Sequence, residues 1–373
     1  MLSKFDSDKF RFWAFVSMVL LVFVHGYNVE PRYLQPWTAP TQAFNWSRYV
    51  EYLFANGLLR FRIPMLFAIS GYLYALHDAT PNRDRVRKRV RTLLVPYLLW
   101  SAIALLMYYL LETVPATRAW IVGSHTAQID QTRMLVHDYH CYEVLARWLL
   151  FPLAYQLWFI RVLFVYNLAY PLLRRWIEGT TSRRVLFAVA VLMWLGTMDF
   201  LLFEGEGLLF FCLGVWLCKS GFNIDAPRAW LQPRKWLLVL LGAAAVKSWL
   251  AFGGQALMGG AVFPLMLVLH KLTVFSGLVC AWYGCDPLVR WCMARPWFLW
   301  LVPFSFIIYA MHAPWVAVLI DPAMDALGRG PGVELAAFVL LPVAILVVVI
   351  AFGAALRRLA PAVYATLTGG RGL

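Results

Sequence analysis

An all-α, polytopic integral membrane protein is the fold class this sequence predicts, and three observations predict it. Of its 373 residues, 62% are hydrophobic and only 14% charged, against about 45–50% and about 25% in soluble domains. The apolar residues gather in runs long enough to cross a hydrocarbon core of about 30 Å, at roughly 20 residues per crossing. These runs are apolar all round, whereas the strands of a membrane β-barrel alternate apolar and polar residues. An ordinary soluble enzyme is thereby excluded. With 18 Trp, 17 Tyr and 26 Phe the chain is not disordered either. One membrane domain over residues 1–373, with no appended soluble domain, is expected.

About ten transmembrane helices follow, at 11–27, 56–76, 92–112, 149–173, 185–202, 207–218, 236–252, 261–283, 298–320 and 333–356. The first run ends His25-Gly26-Tyr27-Asn28 and leads into a Pro/Trp-rich loop. No small-residue cleavage site follows it, so it reads as a retained span and not a signal peptide. The second opens on Arg60 and Arg62, the third follows a basic connection, and the fourth opens near Gln156 and Arg161. The sixth is too short to cross upright, so it is tilted, re-entrant or half-buried. The seventh carries Lys247, the eighth His270-Lys271, the ninth His312, and the tenth closes on Arg357 and Arg358.

Charge sets the orientation. The chain has 33 Lys+Arg against 19 Asp+Glu, a formal net charge of +14. The basic residues form no single face that would suit nucleic acid; they cluster between the apolar runs. Arg83, Arg85, Arg87, Lys88, Arg89 and Arg91 crowd one connection, and Arg174, Arg175, Arg183 and Arg184 another. With the N-terminus cytoplasmic, 22 of the 33 lie inside, 8 outside and 3 within spans. Both termini are then cytoplasmic and the number of spans is even, as in a multi-pass protein of a bacterial inner membrane. The six cysteines form no CxxC pair, and His125, His137 and His140, in the long outer connection 113–148, match no metal spacing, so no metal is expected. Tyr33, Trp37, Trp46, Tyr49 and Tyr52, in the outer connection 28–55, suit either sugar stacking or an interfacial aromatic belt.

An ionisable side chain at the centre of a span costs about 2.5–3.5 kcal/mol on insertion scales, so it is retained where it meets a cavity or a partner. His25 lies 14 residues beyond Arg11, about 21 Å along a helix, in the outer half of the bilayer. His312 is similarly placed on the outward-running ninth span. Arg60, Arg62, Gln156 and Arg161 open inward-running spans and share that layer. Their convergence suggests a polar cavity open to the outside. A lone histidine that hydrogen-bonds between helices, and arginines that snorkel to the interface, are the plainer alternatives.

Five segments, in order, resemble the acyltransferase 3 family of membrane acyltransferases. They are Leu20-Leu21-Val22-Phe23-Val24-His25; Arg62-Ile63-Pro64-Met65-Leu66-Phe67-Ala68-Ile69-Ser70-Gly71-Tyr72-Leu73; Lys88-Arg89-Val90-Arg91-Thr92-Leu93-Leu94-Val95-Pro96-Tyr97; Gln156-Leu157-Trp158-Phe159; and Ser305-Phe306-Ile307-Ile308-Tyr309-Ala310-Met311-His312. Three positions depart from the family pattern. Ala14 stands eleven before His25, where a basic residue is common; Thr92 stands three after Arg89, where a second basic residue is usual; and Gln156 replaces a histidine.

The resemblance implies transfer of an acyl group, usually acetyl and sometimes succinyl, from cytoplasmic acyl-coenzyme A to a hydroxyl of a glycan or lipid-linked oligosaccharide. On that expectation Lys88, Arg89 and Arg91 hold the coenzyme phosphates, although topogenic charge explains them equally well. His25 takes the hydroxyl proton as general base. His312 orients His25 or holds the acceptor. Arg60, Arg62 or Arg161 stabilises the oxyanion. Ser70, Gln156 and Trp158 complete the acyl or acceptor pocket, with helix packing the alternative for Ser70-Gly71. The rival from another class is a transporter or flippase of a lipid-linked saccharide, with Arg161, Lys247 and Lys271 along its path.

Overall fold

A computed structural model describes residues 2–123, 134–328 and 330–372; His125 lies outside them. Every regular element among these residues is a helix. Among the described residues, six helical stretches are long and apolar enough to cross a membrane: Trp46–Leu76, Asn82–Thr113, Tyr155–Glu178, Pro233–Gly284, Pro296–Ala313 and Pro331–Leu359. The chain is a multi-pass membrane protein.

The difference from ten runs has physical causes. The first helix, α1 (Lys4–His25), starts seven residues before the apolar run because Ser3 and Asp6 form a capping box beneath it, and it carries Asp8, Lys9 and Arg11 in its first third. Next come α2 (Trp46–Tyr52) and α3 (Arg62–Leu76), joined by a π-helical segment at Leu53–Leu58 and a turn at 59–61. The basic connection is itself helical, α4 (Asn82–Arg89), and runs through a second π turn into α5 (Val95–Thr113). Two helices of the fifth and sixth runs follow α8 (Trp158–Glu178): α9 (Thr180–Leu195) has 16 residues and α10 (Gly205–Lys219) has 15. At 1.5 Å per residue they measure about 24 and 22 Å, short of the core thickness. The hairpin tip ends beside the middle of α8, where Tyr166 Oη donates to Glu204 O at 2.8 Å and accepts from Glu204 N at 3.0 Å. Pro233–Gly284 holds two helices, α11 (Pro233–Met258) and α12 (Val262–Val279), reversed at Gly259 with φ +54°.

Residues 113–148 also differ from a free outer loop. Their described residues include α6 (Pro115–Gly123) and α7 (Cys141–Leu149). Val136 N and His137 N both donate to Glu112 at 3.0 Å, while Trp148 Nε1 donates to Leu98 O at 2.9 Å and Tyr97 Oη to Leu149 O at 2.9 Å. The described residues on either side of 124–133 thus pack along α5, leaving Tyr142 and Leu145 exposed.

The centre of the bundle is α1 against α3 and α15 (Ser305–Leu327), with α16 (Pro331–Leu359) outside them. Phe12 and Phe15 meet Phe298 of α14 (Pro296–Leu301) at ring separations of 5.5 and 5.4 Å. α3 and α10 touch backbone to backbone. A Cβ on Gly71 would come within 2.1 Å of Phe211 O, and one on Gly214 within 1.9 Å of Ala68 O. Small residues allow such contact between membrane helices, so Ser70-Gly71 marks a packing seam.

Candidate active site

The ends of α1 and α15 meet at two histidines. The His25 and His312 rings are 5.1 Å apart and edge-on. On the other side of His25, at 4.9 Å and nearly parallel, lies Tyr155, whose hydroxyl is hydrogen-bonded to His25 Nδ1. Tyr155 is held there by the short turn that opens α8. Its neighbour Gln156 is stitched to α15: Gln156 Nε2 donates to Ala310 O at 2.9 Å, and Tyr309 Oη donates to Gln156 O at 2.6 Å. Three chain segments distant in sequence thus fix one aromatic stack.

The two histidines differ in environment. His312 is fully buried, and its Nδ1 lies 2.8 Å from Ile308 O. A carbonyl only accepts, so His312 Nδ1 carries the proton and Nε2 holds the lone pair. That Nε2 is buried with no protein partner. His25 is half-buried at the helix end.

Arg62 and Arg60 are the cations nearest His25. Arg62 is 4% exposed; Nη1 donates to Leu59 O at 2.6 Å, while its Nε is buried without a partner. Arg60 is spoken for: Nε donates to Asn56 Oδ1 at 2.9 Å and Nη2 to Leu34 O at 2.8 Å. The π turn at Leu53–Leu58 shifts the carbonyl register, and Asn56 O accepts from the fully buried Lys247 Nζ at 2.5 Å. Lys247 Nζ also lies 3.1 Å from His270 Nδ1. Lys247, His270, Lys271, Arg60 and Glu206 are therefore one polar cluster beside the histidines, with Asn56 between.

Other sequence-expected residues fall elsewhere. Arg161 lines a cleft of about 150 Å³ with Leu94, Tyr97, Ile160 and Phe164, facing Tyr97 and Tyr309 and not His25. Trp158 is half-buried and 6.4 Å from the Phe67 ring. Ser70 lies eight residues down α3 from Arg62, about 12 Å away along the helix. Arg11 is turned outward, with its side chain 51% exposed; the buried cation of that turn is Lys9, paired to Asp286 at 2.6 Å. Lys88 and Arg91 are exposed and Arg89 half-buried over the Tyr74 ring. At Thr92, where the second basic residue was expected, the guanidinium of Arg371 donates to the backbone carbonyl at 2.7 Å. His137 stacks on Tyr109 and His140 on Glu143 and Tyr142, so both serve the α5–α7 connection.

The residue that sequence reasoning passed over is Tyr155. It stands directly before Gln156-Leu157-Trp158-Phe159, and only the position of that segment against His25 marks it.

The connection 28–55 covers this layer. Arg48 forks onto Glu334 at 3.0 and 2.6 Å, and Arg32 meets Asp321 at 2.5 Å, tying the cover to α16 and α15. Tyr52 is buried and donates to Thr38 O at 2.7 Å, whereas Tyr33 and Trp46 are 75% and 72% exposed.

The described helices thus form a membrane bundle in which two histidines from distant helices meet, with Arg62 buried and Arg60 half-buried in the same region. A family model described as an acyltransferase domain (Acyl_transf_3) matches residues 7–358, nearly the whole chain, and the protein belongs to the acyltransferase 3 family. No curated protein and no solved structure matches it.

Proposed function

We propose that this membrane acyltransferase moves an acyl group, acetyl in the first instance, from cytoplasmic acyl-coenzyme A to a hydroxyl of a cell-envelope or extracellular glycan. The site lies in the outer half of a bacterial inner membrane crossed about ten times, with both termini inside. The observation that carries the reading is the stack of His312, His25 and Tyr155 beside Arg62.

A sugar hydroxyl attacks a thioester only as its proton leaves, and histidine is matched to that proton near neutrality. In the productive tautomer His25 Nδ1–H donates to Tyr155 Oη, which leaves His25 Nε2 free to accept the proton. The hydroxyl oxygen forms a bond to the thioester carbon, and the carbonyl becomes an oxyanion. Arg62 Nε, buried and unpartnered, is the donor placed to meet that charge. Collapse breaks the carbon–sulfur bond, and His25 returns its proton to the departing thiolate, so the coenzyme leaves as the thiol. His312 Nε2, held with its lone pair by the Nδ1 bond to Ile308, accepts a hydrogen bond from the acceptor and orients it. Arg60 fixes the cover through Asn56 and Leu34. Exposed Tyr33 and Trp46 offer rings to sugar faces at the entrance. No step requires a metal.

The test uses sealed vesicles of known orientation with acetyl-coenzyme A, labelled in the acetyl group, on the cytoplasmic side and envelope glycans on the other. Label on the glycan with stoichiometric release of coenzyme is expected. Acyl transfer only to membrane lipid, or glycolipid movement without coenzyme release, would overturn the acceptor or the activity respectively.

A further inference from the structure

At the base of the bundle most buried cations have acids. Arg85, Arg174 and Lys219 all pair with Asp78, and Lys9 with Asp286. Arg89 and Arg371 do not. Arg371 reaches Thr92 O at 2.7 Å, three residues beyond Arg89 on the same helical stretch, and feels the Arg89 charge, and among the described residues no carboxylate pairs with either. Two half-buried guanidiniums on neighbouring turns repel, and an anion bound between them relieves the repulsion.

Arg371 is held in place by its own turn. After α17 (Pro361–Thr368), Gly369, Gly370 and Gly372 take φ of +63°, +77° and +80°, where a side chain would be strained. Space is equally short: a Cβ on Gly369 would come within 2.7 Å of Thr92 Cα, and one on Gly372 within 2.5 Å of Pro303 O. The turn thus wedges Arg371 between the π turn at Val90–Leu94 and the start of α15. Nη1 donates to Thr92 O at 2.7 Å and Thr368 O at 3.0 Å, and the guanidinium stands 4.7 Å over the Phe306 ring. Nε and Nη2 have no protein partner among the described residues. That edge is the one with which arginine grips two oxygens of a phosphate.

We propose that Arg371, from the 369–372 turn, binds with Arg89 the diphosphate of the acyl-coenzyme A consumed here. The assignment rests on the donor named above and adds a residue from a segment outside the basic connection. Its position suits the task. Phe306, under Arg371, precedes His312 by six residues on α15, about 9 Å of helix. A diphosphate held at Arg371 leaves the pantetheine arm to run past Tyr309 towards His25. Lys88 and Arg91, exposed on the adjoining turns, attract the nucleotide end electrostatically.

The experiment measures binding of coenzyme A and of phosphate-free pantetheine to the full chain in nanodiscs, with a melting curve on each sample. It also follows turnover with S-acetylpantetheine. Arg371→Gln is expected to weaken coenzyme A roughly 10–100-fold and to leave pantetheine binding and S-acetylpantetheine turnover unchanged, with Arg371→Lys between. Equal coenzyme A affinity in wild type and Arg371→Gln overturns the proposal and leaves the donor standing. A wild type that does not bind coenzyme A overturns both. Should Arg371→Gln fail to fold, Arg89→Gln decides: the same selective loss supports the site, and undiminished affinity overturns it.

Discussion

Two polar regions at opposite ends of α3 follow opposite rules. At the base, Asp78 receives Arg85 at 3.0 Å, Arg174 at 3.3 Å, the Tyr170 hydroxyl at 2.7 Å and the ammonium of Lys219. Burial pushes the Asp78 carboxyl up, but Lys219 and Tyr170 outweigh it and hold it below the usual carboxylate range. At the other end, Arg62 Nε, His312 Nε2 and Gln156 Oε1 are buried without partners. An unmade buried hydrogen bond costs about 1–3 kcal/mol; the lower region bears it at Arg85 Nε, yet its charges meet opposite charges, whereas no ion pair joins the three upper atoms. The lower network ties α3, α4, α8 and α10 together. The upper one keeps donors and lone pairs free for something that is not protein.

The sharpest way to break this contrast is to remove the free groups one at a time. His25→Ala should lower acyl transfer by ~10²–10⁴-fold with an unchanged melting temperature, read by labelled transfer per folded molecule. Arg62→Gln, which keeps a hydrogen-bonding side chain but no charge, should cost about 2.7–4 kcal/mol of transition-state stabilisation, read as a fall in kcat with little change in KM. An equal loss of stability in either variant would place these residues with the base network and remove the distinction.

Asp78→Asn tests the lower region. It leaves three cations facing an amide, so about 1–3 kcal/mol of stability should go, with activity per folded molecule retained. Thermal unfolding in detergent gives the first quantity and labelled transfer the second.

Much of the upper region was legible in the sequence because depth along a helix is arithmetic. Residue counting put His25 and His312 in one layer, and the structure brings their rings to 5.1 Å. Arg62 followed from the same reasoning. For Arg161 residue count gives depth and not azimuth, and the side chain lines the cleft beside Tyr97. Tyr155 was invisible for a related reason: aromatic residues are everywhere in this chain, and only a tertiary contact separates this one. Arg371 was illegible because its partner Thr92 is 279 positions away. Among the helices, hydropathy found the apolar middle of α1 but not its capped first turns. Its fifth and sixth runs coincide with α9 and α10, whose 16 and 15 residues make them shorter than a core-thickness helix. Residues 113–148 read as loop because α7 is amphipathic, and a window average hides a helix with one polar face.

Tyr155→Phe tells orientation from chemistry within the stack. The ring and its packing on His25 remain, and only the hydroxyl acceptor for Nδ1–H is lost. A drop in kcat of roughly tenfold, the worth of one hydrogen bond of about 0.5–1.5 kcal/mol, is expected with KM and melting temperature unchanged. A loss as large as that of His25→Ala would instead give Tyr155 a covalent or proton-transfer role.

The smallest effect belongs to a second basal pair, Asp6 at the start of α1 and Asp225 in the α10–α11 connection. The neighbouring Asp6 carboxyl, with burial, pushes Asp225 up to about 6, while Asp6 is lowered. The signs oppose. A raised Asp225 contributes stability that is full below its unfolded value near 3.8 and is lost as pH rises through about 6. A lowered Asp6 contributes stability present above its unfolded value and lost as pH falls through its folded one. Stability should therefore decline from about pH 4 to about pH 6 at this pair and then level. Asp225→Asn supplies an uncharged donor to Asp6 at every pH, so its melting temperature relative to wild type should rise across that window and hold above it. A flat difference would mean the two carboxyls titrate independently, and the base would then rest on Asp78 and Asp286 alone.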